Sequence, residues 1–417
     1  MNRRAVITGI GVVAPSGNSA SEHWKTVVAG ENRIAPITHF DASAYSTTLA
    51  GEVRDFVPEE YLDRRLIVQT DRWTWMSLAA TAQALTDAEL DPSTIDPYRQ
   101  SVALAASTGG NQFGQREMQR LWSGSTHTVG TYQSIAWFYA ASAGQTSILH
   151  QMKGPSSVLV AEAAGGLDSL GYAARAIGRG AADVVLAGGT EAPLCPYAIT
   201  ASRRSGWMSR QTDPERAYLP FDADAAGYVP AEGGAIFVVE EEQHALRRGA
   251  PYVYAELAGY AATQDGRTSR PWGDTTVEPP SRYLAAALRR ALDRAQAAPG
   301  HTDVVFADAV GVPAADRAEA DAIRTVFPDG VPVTGQKGLL GRASQGSSAL
   351  DVATAVLAMR ERTLPAFGAL PNPAPGCELD FVAAPQRAAI DIAAVAARGY
   401  DGFNSALILR RPEGVSL

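Results

Sequence analysis

The order of sequence patterns predicts an α/β fold in two consecutive halves, residues 1–255 and 256–417, with mixed, mainly parallel sheets. Three observations point there. Short apolar runs ending in Gly alternate with longer stretches of helical periodicity. The same series begins again after about residue 256. A chain of 417 residues, 46% hydrophobic with 39 Gly and 25 Pro, also has the length and composition of a large globular core. The repeat lies in the order of elements, not in sequence identity.

Taken in order, Ala5–Gly9 is a short apolar strand, and Gly11 to Gly17 reads as the loop after it. A phosphate loop would need a Lys-Ser/Thr pair and a different Gly spacing, so a structural turn is expected. Ser19-Ala20-Ser21-Glu22 has capping-box form and opens a helix burying Trp24, Val27 and Val28. Asp71 to Thr86 recurs with helical spacing through Trp73, Met76, Leu78, Ala82 and Leu85. Val102–Ala106 is a buried strand ending in Ser-Thr-Gly-Gly, and Phe113 to Trp122 is a helix. The aromatic-rich stretch Ser134 to Ala140 suits a subunit interface. Val158–Val160 reads as a buried strand, with a helix after it carrying Leu167, Leu170, Ala174 and Ile177 on one face. Val184–Gly189 and Ala235–Glu240 complete the first half. The second half reads as a helix over 282–295, a strand over 304–307 and a helix over 314–325. A strand over 331–334, a helix over 349–360 and a closing strand over 406–410 follow.

Composition excludes several classes of function. No apolar run approaches the ~18 residues of a membrane span, and the N-terminal apolar run is too short for a secretory signal, so a cytoplasmic protein is expected. A net charge of −8 argues against general nucleic-acid binding, which needs clustered cations. Cys195 and Cys377 lie far apart with no partner at metal-ligand spacing; both are expected to be free, buried or half-buried thiols.

One stretch, Gly154 to Leu170, has the order strand, tight turn, helix. That order places a turn residue at a helix N-terminus, where backbone N–H groups and the helix dipole favour negative charge. A nucleophile belongs at such a turn. Here the residue is Ala163, followed by Ala164-Gly165-Gly166-Leu167-Asp168.

This turn, after its Gly-Pro, resembles that of the ketosynthases of fatty-acid and polyketide assembly. Without its Cys it is similar to the chain length factors of type II polyketide synthases, the silent partners of those enzymes. Matching pieces extend along the chain: Arg4–Gly9, Thr70-Asp71-Arg72, Tyr218–Asp222, Gly227–Gly234 and Gly399–Ser405. The resemblance implies a thiolase-like fold in a layered α-β-α-β-α arrangement, no cofactor and no metal. It places the family's two histidine positions at Asp308, within Asp308-Ala309-Val310-Gly311-Val312-Pro313, and at Arg342, after Lys337 and Gly341.

These three residues cannot run a decarboxylating condensation. Ala163 offers no nucleophilic atom, Asp308 puts an acceptor where an enolate needs a donor, and Arg342 is permanently charged. In a collapsed site Asp308 or Glu319 is expected to pair with Arg342 or Lys337. The six histidines fall outside these motifs and are expected on the surface or in loops.

The resemblance further implies a heterodimer with an active ketosynthase-alpha subunit and service by an acyl carrier protein bearing the growing chain. A tunnel along the interface would set product length by running out of volume. Its wall maps to Asn111, Gly114 and Met118, spaced to share one helix face, and to Tyr197. Relatives often place bulky aromatics on that face; Asn, Gly and the flexible Met would leave more room there, or give a tunnel of different course. Gln133, Trp137, Phe138 and Tyr139 map to the dimer interface. Relatives making aromatic polyketides usually carry Gln at the turn; Ala163 leaves room for linear, reduced or polyene products. Two other readings stand beside this one: an active condensing enzyme using other residues, with Ser156, Ser157 and Ser169 nearest the turn, and a stand-alone acyl-binding scaffold.

Overall fold

The computed structural model describes residues 3–266, 278–369 and 371–412. Eleven strands join one sheet: β1 (Ala5–Val13), β2 (Gln100–Ala105), β3 (Ser156–Leu159), β4 (Val184–Glu191), β5 (Gly233–Glu241), β6 (Ala255–Gln264), β7 (Val304–Phe306), β8 (Pro332–Thr334), β9 (Asp380–Phe381), β10 (Ile392–Arg398) and β11 (Phe403–Arg410). Their spatial order is β9-β8-β7-β10-β11-β6-β1-β5-β4-β2-β3. Strands of the first half thus lie on one side and strands of the second half on the other. They meet where β1 pairs with β6, through Val6–Glu256 and Ile7–Ala255.

The helices that position the site are α1 (Ala20–Ala29), α2 (Arg72–Asp87), α3 (Asn111–Trp122), α4 (Gln133–Ala136), α5 (Ala141–Leu149), α6 (Gly165–Gly178), α7 (Pro196–Arg203), α8 (Ser281–Ala295), α9 (Pro313–Val326) and α10 (Gln345–Glu361). α6 and α10 touch each other and strands of both halves, so they form the central layer. α2 and α5 cover the outer face of the first half, and α8, backed by α9, that of the second. The five layers are those of a thiolase-like fold. α10 is buried from Gln345 to Met359 with no polar face, as a central helix must be.

Several expectations need correction. Parallel pairing is confined to the flanks (β4-β2-β3 and β10-β7-β8-β9), and the middle of the sheet is antiparallel. β1 continues through Gly9 and Gly11 to Val13, where a loop was expected. Those glycines let α2 approach: a Cβ on Gly11 would land on the Ala80 carbonyl, and one on Gly9 on that of Ala84. Beyond Ile7, where β1 parts from β6, α2 side chains take up backbone donors. Asp87 accepts from Ile10 N at 2.9 Å and Gln83 from Val12 N at 3.0 Å. Three strands of this sheet were not expected from the sequence, the two-residue β9 among them. β6 opens at residue 255, where the pattern restarts, and β10, Ile-Ala-Ala-Val-Ala-Ala-Arg, carries alanines that pack against helices on both faces.

Ser19 caps α1 as expected, accepting from Glu22 N at 3.2 Å, but Glu22 returns to Asn18 N at 2.7 Å rather than to Ser19. His23 is fully buried, not at the surface. It bridges Ser16 Oγ (2.7 Å) and Thr354 Oγ1 (2.9 Å), and burial lowers its pKa to about 4. Cys195 and Cys377 are buried free thiols. No described helix is long and apolar enough to cross a membrane.

Candidate functional site

The turn after β3 differs from the expected strand and exposed corner. β3 pairs only with β2 and forms the edge of the sheet; its residues are half-buried to exposed, and Val160 is 55% exposed. A 3-10 turn, Glu162–Ala164, then leads into α6. The residue forced into the left-handed region is Glu162 (φ 48°), while Ala163 is 0% exposed. Small residues continue because α10 lies against this end of α6. A Cβ on Gly165 would enter the Gln345 side chain, and one on Gly166 would sit 2.6 Å from Ser348 Oγ.

Asp308 and Arg342 face each other as a bidentate pair, Nη1 to Oδ1 at 3.2 Å and Nη2 to Oδ2 at 3.1 Å. Both are buried, and Nη2 also donates to the Arg398 carbonyl at 2.7 Å. Burial would lower the arginine's pKa, but the Asp308 carboxylate holds it well above the ordinary value, so the guanidinium stays charged. Glu319, on α9, does not pair with Arg342. It accepts from Asp308 N (2.6 Å) and Ala309 N (2.9 Å), fixing the loop after β7. Asp316 accepts from Gly311 N (3.0 Å) and Phe221 N (2.8 Å). Burial, reinforced by Asp308, pushes Glu319 up to about 8 and Asp316 up to about 7. Lys337 pairs instead with Asp351, whose carboxyl burial raises to about 6 against the pull of that lysine.

Glu162 connects this pair to the turn. Its carboxylate is 3.9 Å from Arg342 Nη2 and accepts from Tyr400 N at 3.1 Å. Glu162, Arg342, Ser344, Tyr400 and the Ser107–Thr108 corner line a cavity of about 200 Å³. The corner is held by the buried Glu191 carboxylate, which accepts from Ser107 N at 2.6 Å and Thr108 N at 3.2 Å. The serines nearest the turn lie elsewhere in the fold. Ser169 Oγ is buried between Ala103 O (2.8 Å) and Gly188 N (2.6 Å), and Ser156 is exposed on the edge strand.

A second cavity of about 490 Å³ lies between α3, α4 and the start of α7. It gathers Asn111, Gly114, Met118 and Tyr197, the four residues mapped to a tunnel wall, with Gln133 and Trp137 of the mapped interface. Phe138 and Tyr139 do not line it; both are exposed, with ring centroids 4.8 Å apart. α3 is anchored by a residue that its own sequence does not reveal. Asp71, the N-cap of α2, also accepts from Phe113 N at 2.6 Å, so one buried carboxylate caps the first turns of two helices. Gln115 Oε1 accepts from Tyr197 N at 2.7 Å, tying α7 to α3. The Thr-Asp-Arg start of α2 was legible; the second role of Asp71 depends on a contact 42 residues away.

The chain matches two family descriptions, Beta-ketoacyl synthase, N-terminal domain, over residues 2–245 and Beta-ketoacyl synthase, C-terminal domain, over residues 254–370. It is 48% identical over 410 residues to the tetracenomycin polyketide synthase ketoacyl synthase beta subunit of Streptomyces glaucescens, covering 97% of this chain and 98% of that one. It is 45% identical to the actinorhodin polyketide putative beta-ketoacyl synthase 2 of Streptomyces coelicolor, with the same coverage. Among solved structures, the ishigamide ketosynthase/chain length factor superposes with a TM-score of 0.90 at 26% identity, covering 99% of this chain and 100% of that one.

Proposed function

The chain belongs to the beta-ketoacyl synthase family, and we propose that it serves there as a chain length factor: the non-catalytic subunit that pairs with an active ketosynthase in a type II polyketide synthase. The observation that carries this reading is the Arg342–Asp308 pair beside a turn that holds Ala163. A condensing site needs a thiolate and neutral donors aimed at a developing oxyanion. This site holds a methyl group and two groups that neutralise each other. Loss of one partner would leave a buried charge unpaired, so the pair is self-maintaining once formed.

The cavity along α3, whose walls Trp122, Trp137 and Tyr197 are exposed in the single chain, is the part that remains open. In this reading it receives the distal end of the chain that the ketosynthase partner elongates, and its volume limits length because packed walls do not expand freely. The partner covers the open edge of β3 and the exposed aromatic segment Trp137–Phe138–Tyr139. Carrier protein delivers the extender units to the assembled, cytoplasmic pair.

Reconstitution tests this. Purified alone, the chain is expected to show neither acyl labelling nor condensation; with its ketosynthase, carrier protein and a malonyl donor it should give polyketide of defined length. Met118→Trp, which adds bulk to the α3 face, should shorten the product by at least one two-carbon unit, read by mass spectrometry. Acylation of the isolated chain would sink the silent-subunit reading. The same product analysis assigns the chain as aromatic, linear, reduced or polyene, and we read Ala163 as favouring the non-aromatic classes.

A further inference from the structure

We propose that Trp137, rather than a side chain of α3, forms the wall that ends the cavity, so that Trp137 is a specificity-determining residue for product length. The inference rests on the reading of that cavity as the acyl-chain site. Its starting point is Gly114. Glycine inside a helix costs roughly 0.5–1 kcal/mol relative to alanine, so its presence on a lining face calls for a reason. The structure supplies one. A Cβ at position 114 would lie 2.9 Å from Trp137 Cδ1 and 3.4 Å from Gln133 Nε2. The indole edge occupies the notch that the missing side chain leaves.

The room expected from Gly114 is therefore filled, but from the opposite wall. The backbone of Trp137 is held on both sides: its N–H donates to Gln133 O at 3.1 Å, and its carbonyl accepts from Gly110 N, at the start of α3, at 3.2 Å. The side chain is less constrained, at 51% exposure. A fixed backbone carrying a half-exposed indole over an apolar cavity gives a wall whose reach depends on ring size and rotamer. Gln133 Oε1, buried without a hydrogen-bond partner among the described residues, stands at the same end, and its amide would have to turn to meet a hydroxyl or enol on the chain.

The test uses the reconstituted heterodimer with carrier protein and a malonyl donor, each variant first checked for pairing by gel filtration. Trp137→Gly should lengthen the product by one or more two-carbon units. Adding Gly114→Phe to that variant should return the length toward wild type, because bulk in the notch matters and not the wall that supplies it. Unchanged length in Trp137→Gly, while Met118→Trp shortens the product, would overturn the assignment of Trp137 and leave the cavity reading standing. Unchanged length in both variants would overturn the cavity reading and this inference with it. Trp137→Leu, which keeps apolar contact, guards against a pairing defect. If neither Trp137 variant pairs with the ketosynthase, Trp137 serves pairing rather than product length and the inference fails.

Discussion

Glu319 and Asp316 set the character of the silent site at the scale of single residues, because each bonds two backbone N–H groups while buried beside Asp308. Their folded pKa values, about 8 and about 7, lie above the ~4 of an unfolded carboxyl. Between roughly pH 4 and 8 the folded protein thus holds protons that the unfolded chain releases, and stability falls as pH rises through that window. His23 acts in the opposite sense between about 4 and 6.5, its ring being harder to charge when folded. Comparison with Glu319→Gln removes that shared background. The variant's melting temperature should fall less steeply than wild type from pH 5 to 8.5. Parallel curves would mean that Glu319 is not held protonated. At this scale the sequence was most informative where a residue type is chemically decisive: in any setting Ala163 offers no nucleophilic atom and Arg342 exchanges no proton near neutrality. Which acid meets Arg342 was not legible, because Asp308 in the loop after β7 and Glu319 on α9 both offer a carboxylate, and only their placement in the fold separates them.

At the scale of elements, close approach between backbones explains what the pattern of apolar residues missed. β1 was read as ending at Gly9 because glycine ordinarily punctuates turns. Here Gly9 and Gly11 are strand residues pressed against α2. Gly11→Ala should cost about 1–3 kcal/mol by denaturant unfolding, as overpacking does. Gly144→Ala on α5, whose added Cβ meets nothing within 4 Å, should be neutral or stabilising by about 0.5–1 kcal/mol. Equal effects of the two would refute the close-approach account. The same contrast applies to β10. Its alanines carry no period-2 signal because both of its faces are covered, and alternation survives only when one face meets water.

At the scale of the whole molecule, β3 is one of the two end strands of the sheet, each of which has a single partner. An apolar run suggested a buried strand, yet in the single chain β3 ends the sheet, with Val160 exposed beyond it and Ile148 and Leu149 exposed on the neighbouring α5. A bare edge of this kind is a template for pairing. Val160→Asp should leave the isolated chain's stability within about 0.5 kcal/mol, as exposed substitutions do, while weakening assembly with the ketosynthase on gel filtration. Undiminished pairing would move the interface elsewhere.

The sequence by itself determined the α/β class, the absence of a nucleophilic atom at Ala163 and the helix face of Asn111, Gly114 and Met118. Each of these is written in residue type or local spacing, which short-range sterics and hydrophobic periodicity translate directly into structure. Tertiary structure alone decided that Asp308 seals Arg342, that Asp71 pins α3, that Trp137 fills the notch at Gly114 and that β3 is an edge. Those four depend on segments distant in the chain being packed to within hydrogen-bond or van der Waals distance, and no local pattern specifies which distant partner will arrive.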